Sequence, residues 1–296
     1  MPNLPTLPQT PMVERLDARL RGPGSVARIE AQELETLAEQ TGLDQPALLA
    51  ACLRWAQRWA LAPVSKFEVG AAALAESGVL YLGANLEFCG VPLSHTVHAE
   101  QSAIAHAWSC GETTLRAIAT SAAPCGFCRQ FMLELPEPRP LLVLADHQSP
   151  VALTELLPWA FGPTQLGRTP QLLRAGPHGL ALVNDSVDPL AALALAAADR
   201  SSAPYSGALA GVAVQSSDGQ SFIGAVAESA AYNPTLAPMQ AALIAAHHGG
   251  ARLEQIERAV LVELDASPVS QLDAAQATLA SVAPQATFVR LTARVS

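Results

Sequence analysis

Hydrophobic and polar positions change their spacing several times along this chain. Between residues 30 and 59, apolar side chains recur at the three- and four-residue intervals of a helix, and Gly42 interrupts them as a helix-ending residue. Two shorter apolar runs follow, and Glu76-Ser77-Gly78 between them is typical of a hairpin turn. The predicted helices cover residues 30–40 and 45–59, and the predicted strands cover residues 69–75 and 79–84.

Helical and strand patterns then alternate. An alanine-rich helix from His98 to Trp108 precedes a short apolar strand, and Pro124 opens a second helix, because proline is favoured at a first helical position. Such alternation is typical of a layered α/β sheet. The other elements predicted here are strands at 117–122 and 141–145 and a helix at 154–160.

A glycine- and proline-rich connection at residues 162–184 marks a domain boundary. The proline-rich composition of residues 1–11 predicts an arm before the first helices. The chain is therefore divided into an N-terminal helical segment and two sheet domains. These three parts cover residues 1–43, 44–164 and 183–296.

The second half repeats the first at an offset of 141 residues. Ala62-Pro63-Val64-Ser65 matches Ala203-Pro204-Tyr205-Ser206, and the glycines at 70 and 83 match those at 211 and 224. One deleted residue would then place Pro238 opposite His98 and Gln240 opposite Glu100, with Val269 and Leu272 opposite the cysteines at 125 and 128. The pattern predicts a duplicated domain whose second copy has lost its chemistry.

Four residues suited to metal and proton chemistry lie in the first half in a fixed order. His98 and Glu100 begin one predicted helix, and Cys125 and Cys128 follow Pro124 at the start of the next. One imidazole and two thiolates suit a catalytic zinc, which keeps a fourth position for water, and Glu100 is left to move protons. The order H-x-E then P-C-x-x-C is the signature of zinc nucleobase deaminases.

A C-x-x-C pair alone also fits a redox centre or half of a structural zinc site. A structural site needs a fourth ligand, and no second C-x-x-C occurs in the sequence. The histidine, the glutamate and the two cysteines in this order favour catalytic zinc over both alternatives.

The net charge and the number of cysteines bear on the kind of substrate and on the cell compartment. The formal net charge is −9, and Lys66 is the only lysine, so no basic stripe is present for the phosphates of a nucleic acid. Five cysteines in 296 residues do not form a disulfide framework. No apolar run is long enough to span a bilayer, and the N-terminus lacks a secretory pattern, so a cytoplasmic protein with a small-molecule substrate is expected.

With these motifs the sequence resembles the bacterial homodimeric cytidine deaminases over nearly its whole length. The segments that carry the resemblance are His98-Ala99-Glu100-Gln101-Ser102-Ala103 and Pro124-Cys125-Gly126-Phe127-Cys128-Arg129-Gln130-Phe131-Met132. The resemblance implies a duplicated three-layer α/β/α fold with a helical N-terminal segment. It also implies one zinc ion per subunit and a homodimer.

The resemblance further implies a set of substrate contacts. Asn85-Leu86-Glu87 matches the element that grips the ribose hydroxyls, and Phe67 matches an aromatic residue that packs on the pyrimidine. The Ala99 N–H and the Ala123 carbonyl are implied contacts to the base, although a threonine was expected at position 123. Phe161 matches a residue that enters the neighbouring subunit's site.

The resemblance implies deamination of cytidine and deoxycytidine to uridine and deoxyuridine in pyrimidine salvage. Two alternatives stay open on the sequence alone. One is a zinc deaminase of dCMP or of a modified nucleoside, although Glu87 would repel a phosphate. The other is a non-catalytic binding or assembly protein, against which the intact set of zinc ligands and Glu100 argues.

Overall fold

The chain folds around two mixed β-sheets, one in each half, in a computed structural model that describes residues 4–136, 142–145 and 149–296. The first sheet has the order β1-β3-β2-β4-β5-β6: β1 Arg28–Ile29, β2 Gly70–Ala75, β3 Leu80–Ala84, β4 Leu115–Thr120, β5 Leu142–Ala145 and β6 Val151–Ala152. The second has the order β7-β11-β10-β8-β9: β7 Leu180–Leu182, β8 Ala210–Ser216, β9 Ser221–Ala225, β10 Ile256–Leu264 and β11 Thr287–Val295.

The two sheets share one four-stranded topology. The antiparallel hairpin β2–β3 and the parallel pair β4–β5 recur as β8–β9 and β10–β11. The register recurs as well, since Ala71 pairs with Gly83 in the first sheet and Val212 pairs with Gly224 in the second. This repetition confirms the duplication that the sequence predicts.

Nine helices lie in the described part of the chain: α1 Pro11–Arg19, α2 Ala31–Thr41, α3 Gln45–Ala56, α4 Ala99–Ser109, α5 Gly126–Met132, α6 Leu153–Leu156, α7 Pro189–Asp199, α8 Pro238–His248 and α9 Leu272–Val282. Gly42 ends α2 in the left-handed conformation at φ 68, and the Asp44 side chain caps α3. None of the nine is long and apolar enough to cross a bilayer.

The structure differs from the sequence prediction at several elements. Helix α1 was not predicted, although Thr10 caps it and Pro11 occupies its first position, which are two signals of a helix start. The predicted helix at 154–160 is wrong beyond its first turn, since Pro158 disfavours a helical conformation at Leu157. Strand β7 pairs with β11 just before residue 183, where the second domain was predicted to begin.

Helices cover both faces of each sheet. Along β2, Ala71 and Ala73 face the core shared with α4, whereas Ala72 and Leu74 face the core shared with α1, α2 and α3. The core around α4 continues through α8 into the second half. A three-layer α/β/α arrangement is therefore confirmed, and the two halves share one hydrophobic core.

Glycines where helix and sheet meet reveal how the two copies align. A Cβ on Gly83 would lie 2.2 Å from the Ala103 nitrogen, and a Cβ on Gly224 would lie 2.0 Å from the Ala242 nitrogen. The strands are thus 141 residues apart, but the helices α4 and α8 are 139 apart (242 − 103). The predicted one-residue deletion is wrong, because two residues are missing between strand and helix.

Three histidines are buried where α4 meets α8. His106 and His248 have ring centroids 5.3 Å apart, and those of His247 and His248 are 5.2 Å apart. Burial lowers the pKa of all three, and that of His106 falls to about 4. The Leu82 carbonyl accepts from His106 and the Trp59 carbonyl from His247, so neutral imidazoles fit this core.

We expect acid to destabilise the protein through these histidines. Because folding lowers each pKa, the unfolded chain binds more protons below about pH 6.5, and the free energy of unfolding falls by up to about 1.4 kcal/mol per histidine per pH unit. Urea unfolding at pH 7.5 and pH 5.5 measures this loss. His106→Gln should reduce the loss by about a third, and an unchanged loss would contradict the assignment.

Candidate active site

The predicted zinc ligands converge at the N-terminal ends of two helices. His98 is the N-cap residue of α4 and Cys125 is the N-cap residue of α5, both with extended backbone, while Cys128 lies in the first turn of α5. The prediction that Cys125 itself lies in the helix is wrong, because its ψ of 170 is not helical. Both helices direct their positive dipole ends at the shared site.

The spacing of the three donor atoms fits zinc. Cys125 Sγ lies 3.4 Å from His98 Nδ1 and 3.6 Å from Cys128 Sγ, and Cys128 Sγ lies 3.3 Å from His98 Nδ1. Tetrahedral zinc with ordinary bond lengths separates such donors by about 3.6–3.8 Å. Among the described residues, no other group of three His, Cys, Asp or Glu side chains is close enough to hold a metal ion.

The two thiols of this cluster differ in how readily they ionise. Hydrogen bonds from Cys128 and His98 lower the pKa of Cys125 to about 3, so that one thiolate forms without metal. The same hydrogen bond to Cys125, together with burial, raises the pKa of Cys128. A metal ion held by His98, Cys125 and Cys128 would take the place of the remaining thiol proton, because the ligand form of cysteine is the thiolate.

Glu100 lies beside this cluster in a nearly dry position. Its side chain is only 4 % exposed, and burial raises its pKa above the usual range. It also lines the cavity that His98 and Cys125 line. A carboxyl group with a raised pKa at such a place suits both accepting and donating a proton near neutral pH.

The cavity beside the cluster has a volume of about 300 Å³, at the lower end of the range for small-molecule pockets. It contains the predicted base contacts Ala99 and Ala123 and the aromatic residue Phe67, whose side chain is half exposed. The other lining residues are Ser65, Val69, Asn85, Glu87, Thr96, His98, Glu100, Ala122 and Cys125.

Asn85 and Glu87 hold the loop that carries Phe67. Asn85 accepts from the Val69 N–H at 2.9 Å and donates to the Phe67 carbonyl at 3.0 Å. Glu87 accepts from the backbone N–H groups of Val64 and Ser65 and from the Ser65 hydroxyl. Partial burial opposes ionisation of Glu87, but these hydrogen bonds lower its pKa overall. Both side chains keep unused donor or acceptor capacity toward the cavity.

Leu86 and Phe161 lie outside this cavity. The Leu86 side chain is fully buried in the core, and its N–H and carbonyl both bond to Val97. Phe161 is half exposed, and its carbonyl accepts from Gln130 on α5. Within one chain, therefore, the Phe161 ring does not line the cavity.

The sequence interpretation did not assign roles to Ser65, Val69 and Thr96, which also line the cavity. For Ser65 a signal existed, because the repeat places Ser206 at the same position of the second half. Ser206 and the Tyr205 N–H donate to Glu228 just as Ser65 and the Val64 N–H donate to Glu87. The second copy therefore keeps the hydrogen bonds between this loop and a glutamate.

The second copy has no zinc ligands at the matching places. The register of α4 and α8 puts Ala237 opposite His98 and Met239 opposite Glu100, which corrects the predicted Pro238 and Gln240. Alignment of the starts of α5 and α9 puts Gln271 and Ala274, and not the predicted Val269 and Leu272, opposite the two cysteines.

A buried carboxylate holds the start of α9. In the first half, the zinc ligands Cys125 and Cys128 lie at the corresponding start of α5. Glu263 is 2 % exposed and accepts from the Gln271 N–H at 2.8 Å and from Arg290 at 2.7 Å. An ion pair and a helix cap thus take the place of the metal in the second copy.

Comparison with known proteins finds matches in both halves of this chain. The sequence profile described as the cytidine and deoxycytidylate deaminase zinc-binding region matches residues 44–142, and a second profile with the same description matches residues 153–276. The cytidine deaminase of Serratia proteamaculans is 42% identical over 282 residues, covering 95% of this chain and 94% of that protein.

Other relatives carry the same name. The cytidine deaminase of Sodalis glossinidius is 45% identical over 86% of each chain, and that of Yersinia pestis is 46% identical over 86% of this chain and 85% of its own. The solved cytidine deaminase of Mycobacterium tuberculosis is 34% identical, with a TM-score of 0.37, over 40% of this chain and 99% of its own. Because its sequence is 42–46% identical to the first three of these proteins over 86–95% of its length, this chain belongs to the cytidine deaminase family.

Proposed function

We propose that this chain is a zinc-dependent cytidine deaminase, which hydrolyses cytidine and deoxycytidine to uridine and deoxyuridine with release of ammonia. The observation that carries the proposal is the convergence of His98, Cys125 and Cys128 beside the buried Glu100 at one cavity. Family membership supports the same reaction. Its place in metabolism is pyrimidine salvage.

The zinc ligands in this proposal are His98, Cys125 and Cys128. When bound there, zinc polarises a water molecule and brings its pKa towards ~7. Glu100 takes the proton of the attacking water and passes it to N3 of cytosine, which makes C4 electrophilic. Water oxygen then adds to C4. Glu100 then takes the remaining proton of the oxygen added to C4 and delivers it to the 4-amino group. The C4–N bond breaks, ammonia leaves, and C4 keeps the oxygen as the carbonyl of uridine.

The same cavity supplies the groups that orient a nucleoside. Asn85 and Glu87 have hydrogen-bonding capacity left for the ribose hydroxyls, and Phe67 offers a ring for the pyrimidine. The Ala99 N–H and the Ala123 carbonyl suit the polar edge of the base. The Leu86 side chain contacts the core, so its part is to keep Asn85 and Glu87 in register.

A substrate comparison tests this function. Zinc-loaded protein is incubated with cytidine, deoxycytidine, dCMP and free cytosine, and ammonia release is measured beside a chelator-treated sample. We expect release with the two nucleosides only, because Glu87 opposes a phosphate and free cytosine lacks the ribose. Release from dCMP alone, or from none of the four at full zinc loading, would refute the assignment.

The domain roles belong to the same proposal. Residues 1–43 form the helical segment, residues 44–164 the catalytic zinc domain, and residues 183–296 the non-catalytic copy. The zinc-ligand set in the first half and the Glu263–Arg290 pair in the second support this division.

We also propose a homodimer in which Phe161 completes the partner's site. Its ring is half exposed and does not line the cavity of its own chain, and the neighbouring Trp159 is fully exposed with a φ of 60. Aromatic residues are enriched at protein interfaces relative to the rest of the surface, which supports this contact.

Complementation between two inactive variants is expected to test this contact. Phe161→Ala and Glu100→Gln each lack one part of the site, but a mixed dimer holds one site with both Glu100 and Phe161. We therefore expect co-refolded protein to recover about a quarter of wild-type activity by random pairing. Activity no higher than the mean of the two variants, or a fully active monomer in light scattering, would contradict the exchange.

A further inference from the structure

The two helices that carry the zinc ligands are both tied to the second half by buried side chains. On α4, Gln101 is 7 % exposed, and its Nε2 donates to the Pro234 carbonyl at 2.7 Å. The Oε1 atom of the same amide accepts from the His98 N–H at 3.3 Å. One side chain therefore connects the backbone of a proposed zinc ligand to a loop of the non-catalytic copy.

The second connection lies just beyond the end of α5, six residues after Cys128. Glu134 is 3 % exposed, and it accepts from the Tyr205 hydroxyl at 2.6 Å and from the Ala230 N–H at 2.8 Å. Both donors belong to the second half. Charge-assisted hydrogen bonds in a buried position are strong and directional, so they fix the end of α5 against that domain.

The loop that provides Tyr205 is itself held by hydrogen bonds. Glu228 accepts from the N–H groups of Tyr205 and Ser206 and from the Ser206 hydroxyl, as Glu87 does in the first half. The same hydrogen-bond pattern therefore holds the Phe67 loop in the catalytic copy and the Tyr205 loop in the other copy. This gives the retained Ser206 and Glu228 a use without any substrate.

We propose that the non-catalytic half is a positioning domain for the zinc site, which acts through Tyr205 of its own and through Gln101 on α4 as positioning residues. This inference rests on the proposed ligands His98, Cys125 and Cys128. Because these ligands come from two different helices, their donor spacing depends on how α4 and α5 are held relative to each other. Outer groups that orient metal ligands change metal affinity or activity by 10–100-fold when they are removed.

The chain provides a matched control for each positioning residue. Gln240 is the counterpart of Gln101 on α8, at the helix offset of 139 residues, and is equally buried. Its Oε1 has no hydrogen-bond partner among the described residues. Tyr232 is an exposed tyrosine of the same half and controls for removal of a hydroxyl.

The experiment compares Gln101→Met with Gln240→Met and Tyr205→Phe with Tyr232→Phe, all as zinc-loaded full-length protein. The readouts are the rate of zinc release to excess chelator, kcat and KM for cytidine, and Tm. We expect Gln101→Met to release zinc about tenfold faster and to lose about tenfold in kcat, with KM nearly unchanged. Tyr205→Phe should also release zinc faster than the wild type. Both controls should match the wild type in zinc release and kcat.

A purely structural role would give a different pattern. If Gln101→Met and Gln240→Met lowered Tm alike and left zinc release and kcat unchanged, the positioning role would be overturned. If Gln101→Met failed to fold, unchanged zinc release and kcat in Tyr205→Phe would overturn it. Wild-type protein that binds no zinc would instead refute the ligand assignment, which keeps the two failures apart.

Discussion

Glu100→Gln is expected to keep its zinc and to lose cytidine turnover by about 10⁴-fold, the upper range for general acid–base catalysis. Glutamine has nearly the same shape as glutamate, so it fits the buried position that Glu100 occupies. However, an amide neither takes the proton of the attacking water nor returns one to the leaving amino group. Because the same carboxyl serves every proton transfer in the proposed reaction, no other group replaces it.

Zinc content and stability are the controls for this variant. We expect one zinc per chain, as in the wild type, because Glu100 is not a proposed ligand. Loss of the charge also removes the cost of burying a carboxylate, so Tm should not fall. A variant that keeps its zinc and deaminates cytidine within tenfold of the wild-type rate would show that another group moves the proton.

Cys128→Ser is expected to remove both zinc and activity. Serine is nearly isosteric, but its hydroxyl does not ionise in the range where a thiol does, and the metal needs an anionic sulfur. The buried position of Cys128 also excludes a water molecule as an easy substitute ligand. We expect zinc affinity to fall by at least about a hundredfold and turnover to fall with metal content.

Cys110→Ser controls for the loss of a thiol as such. Cys110 is exposed and lies outside the zinc cluster, so this variant should keep full zinc and full activity. The metal content of both variants is measured by atomic emission after dialysis against a weak chelator. Equal zinc retention in the two would exclude Cys128 as a ligand.

The chemistry of the site could be predicted from the sequence because it depends on residue types at short spacing. His98 with Glu100, and Cys125 with Cys128, are separated by two and three positions, so each pair lies at the start of one helix. The alternation of predicted strands and predicted helices along the chain likewise indicated a layered α/β sheet, and helices do cover both faces of β2 and its neighbours.

The parts that could not be predicted depend on long-range contacts. Gln101 meets Pro234, and Glu134 meets Tyr205 and Ala230, across the two halves, and no local pattern indicates these pairs. The alignment of the copies failed for a related reason. Single-residue matches do not locate a two-residue deletion, whereas the close approach of Gly83 to Ala103 and of Gly224 to Ala242 does.

The second copy has no zinc ligands at the matching places, and buried side chains hold the same region there without metal. In the first half, the donors on α4 and α5 would repel or share protons without a cation between them. In the second half, Glu263 caps α9 and pairs with Arg290. The copy is therefore able to hold its fold with no zinc and to supply the anchoring loops at Tyr205 and Pro234.

Zinc K-edge X-ray absorption of the loaded protein is the most direct test of the proposed centre. One imidazole and two thiolates predict two Zn–S bonds of about 2.3 Å and two lighter ligands at about 2.0–2.1 Å, one from His98 and one from water. The spectrum of Cys128→Ser, if any zinc stays bound, should show one Zn–S bond fewer. Four sulfur ligands, or none, would contradict the assignment of His98, Cys125 and Cys128 as the catalytic zinc site.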